Sequence, residues 1–174
     1  MDAALRKGSM RTIWDWMMWF RRAPAADRWA LVPLRLVVGF GFAAHGYAKL
    51  ARGPESFAAI LSGIGVPAPD LAAWATVVIE LFGGIAMMAG AGVVLVTPLL
   101  AAIMLTALFS VHLRYGFSSI RLKAITNMGA EFGPVGYELN LLYLAALATL
   151  AASRPSALSI DRWLARRRER RTPV

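Results

Sequence analysis

Six ionisable side chains stand within or at the ends of the apolar runs of this chain: Arg35, His45, Lys49, Glu80, His112 and Glu138. A charge in hydrocarbon costs a few kcal/mol by insertion scales, so such groups turn inward, pair, and mark ion, proton or ligand pathways. Their types suit proton and charge handling: imidazole and carboxylate exchange protons, and an ammonium steadies negative charge. His45 and Lys49, in GFAAHGYAKL (41–50), are one helical turn apart and share a face. The bland alternative is interhelical hydrogen bonding, each bond worth about 1 kcal/mol or less. His45 and His112 are the minimum for a bis-His haem, but nothing else in the chain supports haem. His45, Glu80, His112 and Glu138 have metal-binding types without a diagnostic spacing, so no metal ligand is assigned. The chain has no cysteine, which removes disulfides, CxxC redox pairs, thiolate metal sites and persulfide carriage.

The elements that position these residues are read from hydropathy. Of the 174 residues 58% are hydrophobic and 17% charged, with mean hydropathy +0.55, the composition of a membrane protein. Crossing hydrocarbon takes about 20 apolar residues. Four segments approach that length: Leu31–Leu50, Leu71–Gly90, Val93–Leu113 and, weakest, Gly133–Ala152. The expected fold is all-α, a polytopic four-transmembrane-helix bundle, with GAG at 90–92 closing a tight hairpin between spans two and three. At about 1.5 Å rise per residue, His45 lies roughly 8 Å inside the outer end of span one, and Glu80 roughly 13 Å into span two. By depth His45 pairs best with Glu80, and Lys49 with Glu138. Arg35 lies near the other end of span one and can snorkel to phosphate or reach toward Glu80 from below.

Thirteen of the nineteen Lys and Arg lie before residue 30 or after residue 153. Long apolar blocks separate the two clusters, which argues for cytoplasmic anchors rather than a nucleic-acid surface. An even number of spans then places both termini in the cytoplasm, although Arg114, Arg121 and Lys123 in the second outer loop oppose the rule. IWDWMMWFRR (13–22) fits an N-terminal interfacial amphipathic helix at the headgroups. The expected organisation is an interfacial segment 1–30, a membrane domain 31–152 and a basic cytoplasmic tail 153–174. In GPESFAAILSGIGVPAP, Pro54 starts a short helix whose Phe57, Ile60, Leu61 and Ile64 share one face and cap the outer end of the bundle.

The runs LRLVVGFGFAAHGYAKL, IELFGGIAMMAG, GYELNLLYLAALATL and RPSALSIDRWL resemble the DoxX family of small four-helix inner-membrane proteins, over about residues 31–164. The specific pieces are an Arg followed by HGxxK, then ExxGG, and SxD as Ser159 and Asp161. The resemblance implies a bacterial inner-membrane location and a place in an oxidoreductase. DoxD relatives belong to a thiosulfate:quinone oxidoreductase, and one member joins a superoxide dismutase and a rhodanese-like sulfurtransferase, a link to oxidative stress. Arg35, His45, Lys49, Glu80, Gly83, Gly84 and Glu138 match the pattern. Two functions follow. In the first, a redox subunit holds a quinone in the outer half of the bundle. His45 then donates to a quinone oxygen, Lys49 steadies negative charge and Glu80 relays the proton; these are the candidate catalytic residues, with Arg35, His112 and Glu138 as further cofactor-binding candidates. In the second, a non-enzymatic anchor recruits soluble redox or sulfur-transfer partners. The lipid bilayer is a partner in both, and a homo-oligomer is compatible with either.

Overall fold

The computed structural model describes residues 26–170, with side chains from Trp29 onward. Helix α1 (Ala26–Arg52) carries Arg35, Gly39, Phe42, Gly46 and Lys49 at alternating spacings of four and three, which puts all five on one stripe. Helix α3 (Pro69–Ala89) repeats the pattern with Ala73, Val77, Glu80, Gly84 and Met87, every one of them buried. The two stripes meet antiparallel at backbone contact. A Cβ on Gly39 would lie 2.7 Å from the Gly84 carbonyl oxygen, one on Gly46 2.5 Å from the Leu81 nitrogen, and one on Gly84 2.5 Å from the Gly39 oxygen. Lipid supplies no hydrophobic drive between helices, so this close packing is what holds the pair.

The short helix α2 (Pro54–Gly63) joins them at one end, where Ala58 and Leu61 pack on Ala73. At the opposite end α3 passes into α4 (Val93–Ala107) through the GAG turn. Gly90 closes α3 at φ 64°, and a Cβ there would lie 2.5 Å from that of Ser159. Both the left-handed backbone and the crowding demand glycine. Beyond Ala107 the rod widens into a π-helical turn, Leu108–His112, and ends in a 3₁₀ turn, Leu113–Tyr115.

Strands β1 (Leu122–Thr126) and β2 (Gly129–Phe132) then form an antiparallel hairpin, with Leu122 opposite Phe132 and Thr126 opposite Gly129. The sequence reading held this stretch to be loop. Helix α5 (Glu138–Ala152) begins five residues later than the expected fourth span. Pro134 offers no N–H, Gly133 N–H is spent on the Arg121 carbonyl at 2.8 Å, and Gly136 N–H on that of Ser118 at 3.1 Å, so the intervening chain is tied to the outer loop instead of entering a helix.

Among the described residues three helices are long and apolar enough to cross a membrane: Trp29–Arg52, Pro69–Ala89 and Val93–Tyr115. Helix α5, with 15 residues, rises about 22 Å, short of the about 30 Å of hydrocarbon. It nevertheless runs antiparallel to α4 along the bundle, with Asn140 beside Met104 at one end and Leu150 near Val93 at the other. The core comprises Val38, Phe42, Met87, Leu100, Leu147 and Leu150. Val37, Phe40, Phe82, Val94 and Leu95 face outward, as lipid-facing positions do. Helix α6 (Ile160–Glu169) follows, its N-terminus capped by Ser159 Oγ, which accepts from Arg162 N at 3.2 Å. The expected interfacial helix at 13–22 lies outside the described residues.

Candidate functional site

Lys49 and Glu80 occupy facing positions on the two stripes. The Lys49 ammonium donates to Glu80 Oε2. Glu80 is only 4% exposed, and the Phe57 ring of α2 lies 4.9 Å from Lys49 Nζ, adding a cation–π contact to the ammonium. The pairing differs from the depth estimate, and helix rotation is the reason. Lys49 is on the stripe that faces α3. His45 sits one residue, about 100°, off the stripe at Gly46, and turns toward the space between α1 and the later helices. Depth alone ranks neighbours along the membrane normal and says nothing of azimuth.

That space is a cavity of about 600 Å³ at the α2 end of the bundle, within the range of small-molecule sites. Its walls are mostly apolar, from Ile60 of α2 and Ile64 just after it, Ile103 and Met104 of α4, and Val135 and Leu139. Into it converge His45, Lys49, Glu80 and His112. The π-helical turn brings Ser110, Val111 and His112 to the wall; such turns recur at functional sites because they rotate the following side chains. His112 Nδ1 lies 2.9 Å from the Val135 carbonyl. A carbonyl only accepts, so the proton of that bond is on Nδ1.

Five polar lining residues are not among the sequence-expected site residues: Thr76, Thr106, Ser110, Asn140 and Tyr143. Asn140 is buried and its amide donates to the Met104 carbonyl at 3.3 Å. Tyr143 meets Phe42 edge to face, ring centroids 5.4 Å apart. A signal existed for the last two. Asn140, Tyr143, Leu147 and Leu150 repeat the three-four-three spacing of a buried stripe, which puts two hydrogen-bonding side chains among apolar ones.

Two expected residues lie elsewhere. Glu138 Oε2 accepts from Ser119 N at 3.0 Å and ties the start of α5 to the outer loop rather than lining the cavity. Arg35 is at the opposite end of the bundle, 3% exposed. Its guanidinium donates to Ser156 Oγ, to the Ala157 carbonyl at 3.3 Å and to the Leu158 carbonyl at 2.9 Å. Beside it Asp161 accepts from Gly92 N at 2.7 Å and Val93 N at 3.0 Å, capping α4 from another helix. Arg35 and the SxD pair therefore lock one end of the bundle, while the cavity forms at the other. Among the described residues no three His, Asp or Glu stand together in a way that could hold a metal ion.

Comparison with curated proteins and with solved structures gives no match to this chain. The DoxX family model matches residues 30–113, a stretch that carries Arg35, HGxxK, ExxGG and the paired stripes of α1 and α3. It ends beside His112, so GYELN of α5 and the SxD of α6 lie beyond it. With that match over three apolar helices, the chain is a multi-pass membrane protein whose residues 30–113 match the DoxX family.

Proposed function

We propose that the protein is the membrane subunit of a redox system and holds a quinone in the α2-end cavity. The observation that carries this reading is a largely apolar cavity of about 600 Å³ in which an ammonium–carboxylate pair, an imidazole and a phenol converge. A quinone is a flat apolar ring bearing two acceptor oxygens. Lys49 uses one of its three N–H donors on Glu80 and has others to offer; the Tyr143 hydroxyl and a protonated His45 nitrogen are further donors. When bound, the quinone supplies two-electron, two-proton redox chemistry. His45 orients one oxygen and hands over or takes back a proton, and Lys49 offsets negative charge at the head group. Glu80 would keep Lys49 in place and relay protons to or from the head group, while Ile60, Ile64 and Ile103 exclude water. Any sulfur transfer takes place on a partner protein, since this chain has no cysteine to carry it.

The site then lies in the outer half of a bacterial inner membrane, with α5 as a fourth crossing and both basic termini in the cytoplasm. The alternative is a non-enzymatic anchor for soluble redox or sulfur-transfer enzymes. It is favoured by the β1–β2 hairpin, whose Ile125 and Met128 are 80% and 98% exposed, apolar surface suited to a partner. Mass spectrometry of lipids copurified in mild detergent separates the two. Quinone near one per chain, lost in His45→Ala while the bundle stays assembled, supports the redox subunit. Phospholipid alone from both proteins favours the anchor.

A further inference from the structure

The arginine-rich end of the chain reads in sequence as a solvated tail, but in the structure it is a helix fastened to the bundle. Ser159 and Asp161 at the start of α6 are the fastening. Asp161 accepts from the Gly92 and Val93 amides, its own N–H donates to the Gly90 carbonyl at 2.9 Å, and Arg35 holds the preceding Leu158 carbonyl. The attachment fixes the depth of α6 at the end of the bundle where α1 begins and α3 turns into α4, the level of the lipid headgroups.

The sides of α6 differ. Ile160, Trp163 and Leu164 fall within about 100° of one another around the axis and are 45%, 51% and 44% exposed. Among the described residues nothing covers this stripe. Arginines follow on both flanks, Arg166 and Arg170 on one and Arg168 on the other, and the Arg167 guanidinium stacks 3.7 Å above the Trp163 ring. Only Asp161 and Glu169 oppose them within the helix, and Asp161 is engaged with backbone amides. An apolar stripe with a tryptophan, bordered by long cationic side chains, matches a helix lying in the plane of an interface, apolar face down and guanidinium groups at phosphate level. Next to α6, a cleft of about 60 Å³ lined by Arg35, Ser153, Arg154, Ser156 and Ser159 adds cationic and hydroxyl groups at the same level. Arg35 Nε there is buried without a partner.

We infer that α6 is an interfacial helix that binds anionic phospholipid headgroups, its arginines on the phosphates and Ile160, Trp163 and Leu164 among the acyl-chain ends. It rests on the arginine end of the molecule and is independent of what fills the cavity. Because α6 is bonded to the turn between α3 and α4, lipid bound there braces that turn.

The test uses the full chain in bilayer discs mixing phosphatidylglycerol and phosphatidylcholine. Native mass spectrometry reads which lipid stays bound after release, comparing the unmodified protein with an Arg166→Gln, Arg167→Gln, Arg170→Gln variant. These side chains are exposed, and the melting temperature in detergent checks that the bundle persists. Each cation near an anionic surface is worth about 1 kcal/mol, so the preference for phosphatidylglycerol is expected to fall at least roughly tenfold in the variant. A nitroxide at Leu164→Cys, free of background in a chain without cysteine, is expected to be reached by membrane-dissolved oxygen in preference to an aqueous nickel reagent. Equal lipid preference in both proteins, or a nitroxide fully exposed to nickel, would overturn the proposal.

Discussion

The Lys49–Glu80 pair decides whether the cavity is a site or a structural weld. Removing one partner leaves a charge stranded in apolar surroundings, whereas removing both restores compatibility with them. Lys49→Met and Glu80→Met should each destabilise the bundle, by about 2 kcal/mol for a pair whose lysine is partly solvated. Thermal unfolding in detergent should then find the Lys49→Met, Glu80→Met double variant close to the unmodified protein, with a coupling energy of about 4 kcal/mol, the sum of the two single losses. Ligand retention should not recover in the double variant, because both polar groups are absent. Recovery of both would make the pair structural glue. Asn140 and Tyr143 were missed, whereas the charged residues were legible in the sequence, since charged side chains in apolar runs announce themselves. Their pairing was not: helix rotation sends Lys49, not His45, to Glu80, and Glu138 to Ser119.

At the scale of elements, the two glycines of ExxGG do different work. A Cβ on Gly84 meets the backbone of α1, 2.5 Å from the Gly39 oxygen, whereas one on Gly83 meets side-chain ends of Val96 and Leu100 at 3.3 and 3.2 Å. Gly84→Ala should therefore cost about 3 kcal/mol or more by forcing the helices apart, and Gly83→Ala less than about 1 kcal/mol. Comparable melting shifts for the two would contradict this packing. Asp161→Ala deprives the Gly92 and Val93 amides of their acceptor and should lower stability by about 1–2 kcal/mol. It should also free α6, seen as faster proteolysis after Arg166. The long helices and the α2 cap were readable from apolar length and from Pro54 with its one-sided Phe57, Ile60 and Leu61. The hairpin was not, because Leu122–Phe132 buries almost nothing and so leaves no alternation of core and surface. The late start of α5 depends on Gly136 and Gly133 bonding to a distant loop, which local propensity does not record.

For the whole molecule, the chain separates two tasks by height. One end is closed by Arg35, Gly90 and Asp161, with arginines outside it; the other holds the cavity under α2. With α5 as the proposed fourth crossing, these ends lie on opposite sides of the membrane and both termini on one. Absence of native cysteine makes that testable by labelling single cysteines with an impermeant maleimide. Met128→Cys should react on intact cells and Arg170→Cys only after permeabilisation. Reaction of both from one side would mean that α5 does not complete a crossing. The central claim is that the cavity receives a quinone, and photolabelling with an azido-quinone followed by peptide mapping tests it most directly. Label is expected on peptides covering Ile103–His112 and Val135–Tyr143, displaced by excess unmodified quinone. Label spread over lipid-facing positions such as Val94 and Leu95, or undiminished by competitor, would contradict it.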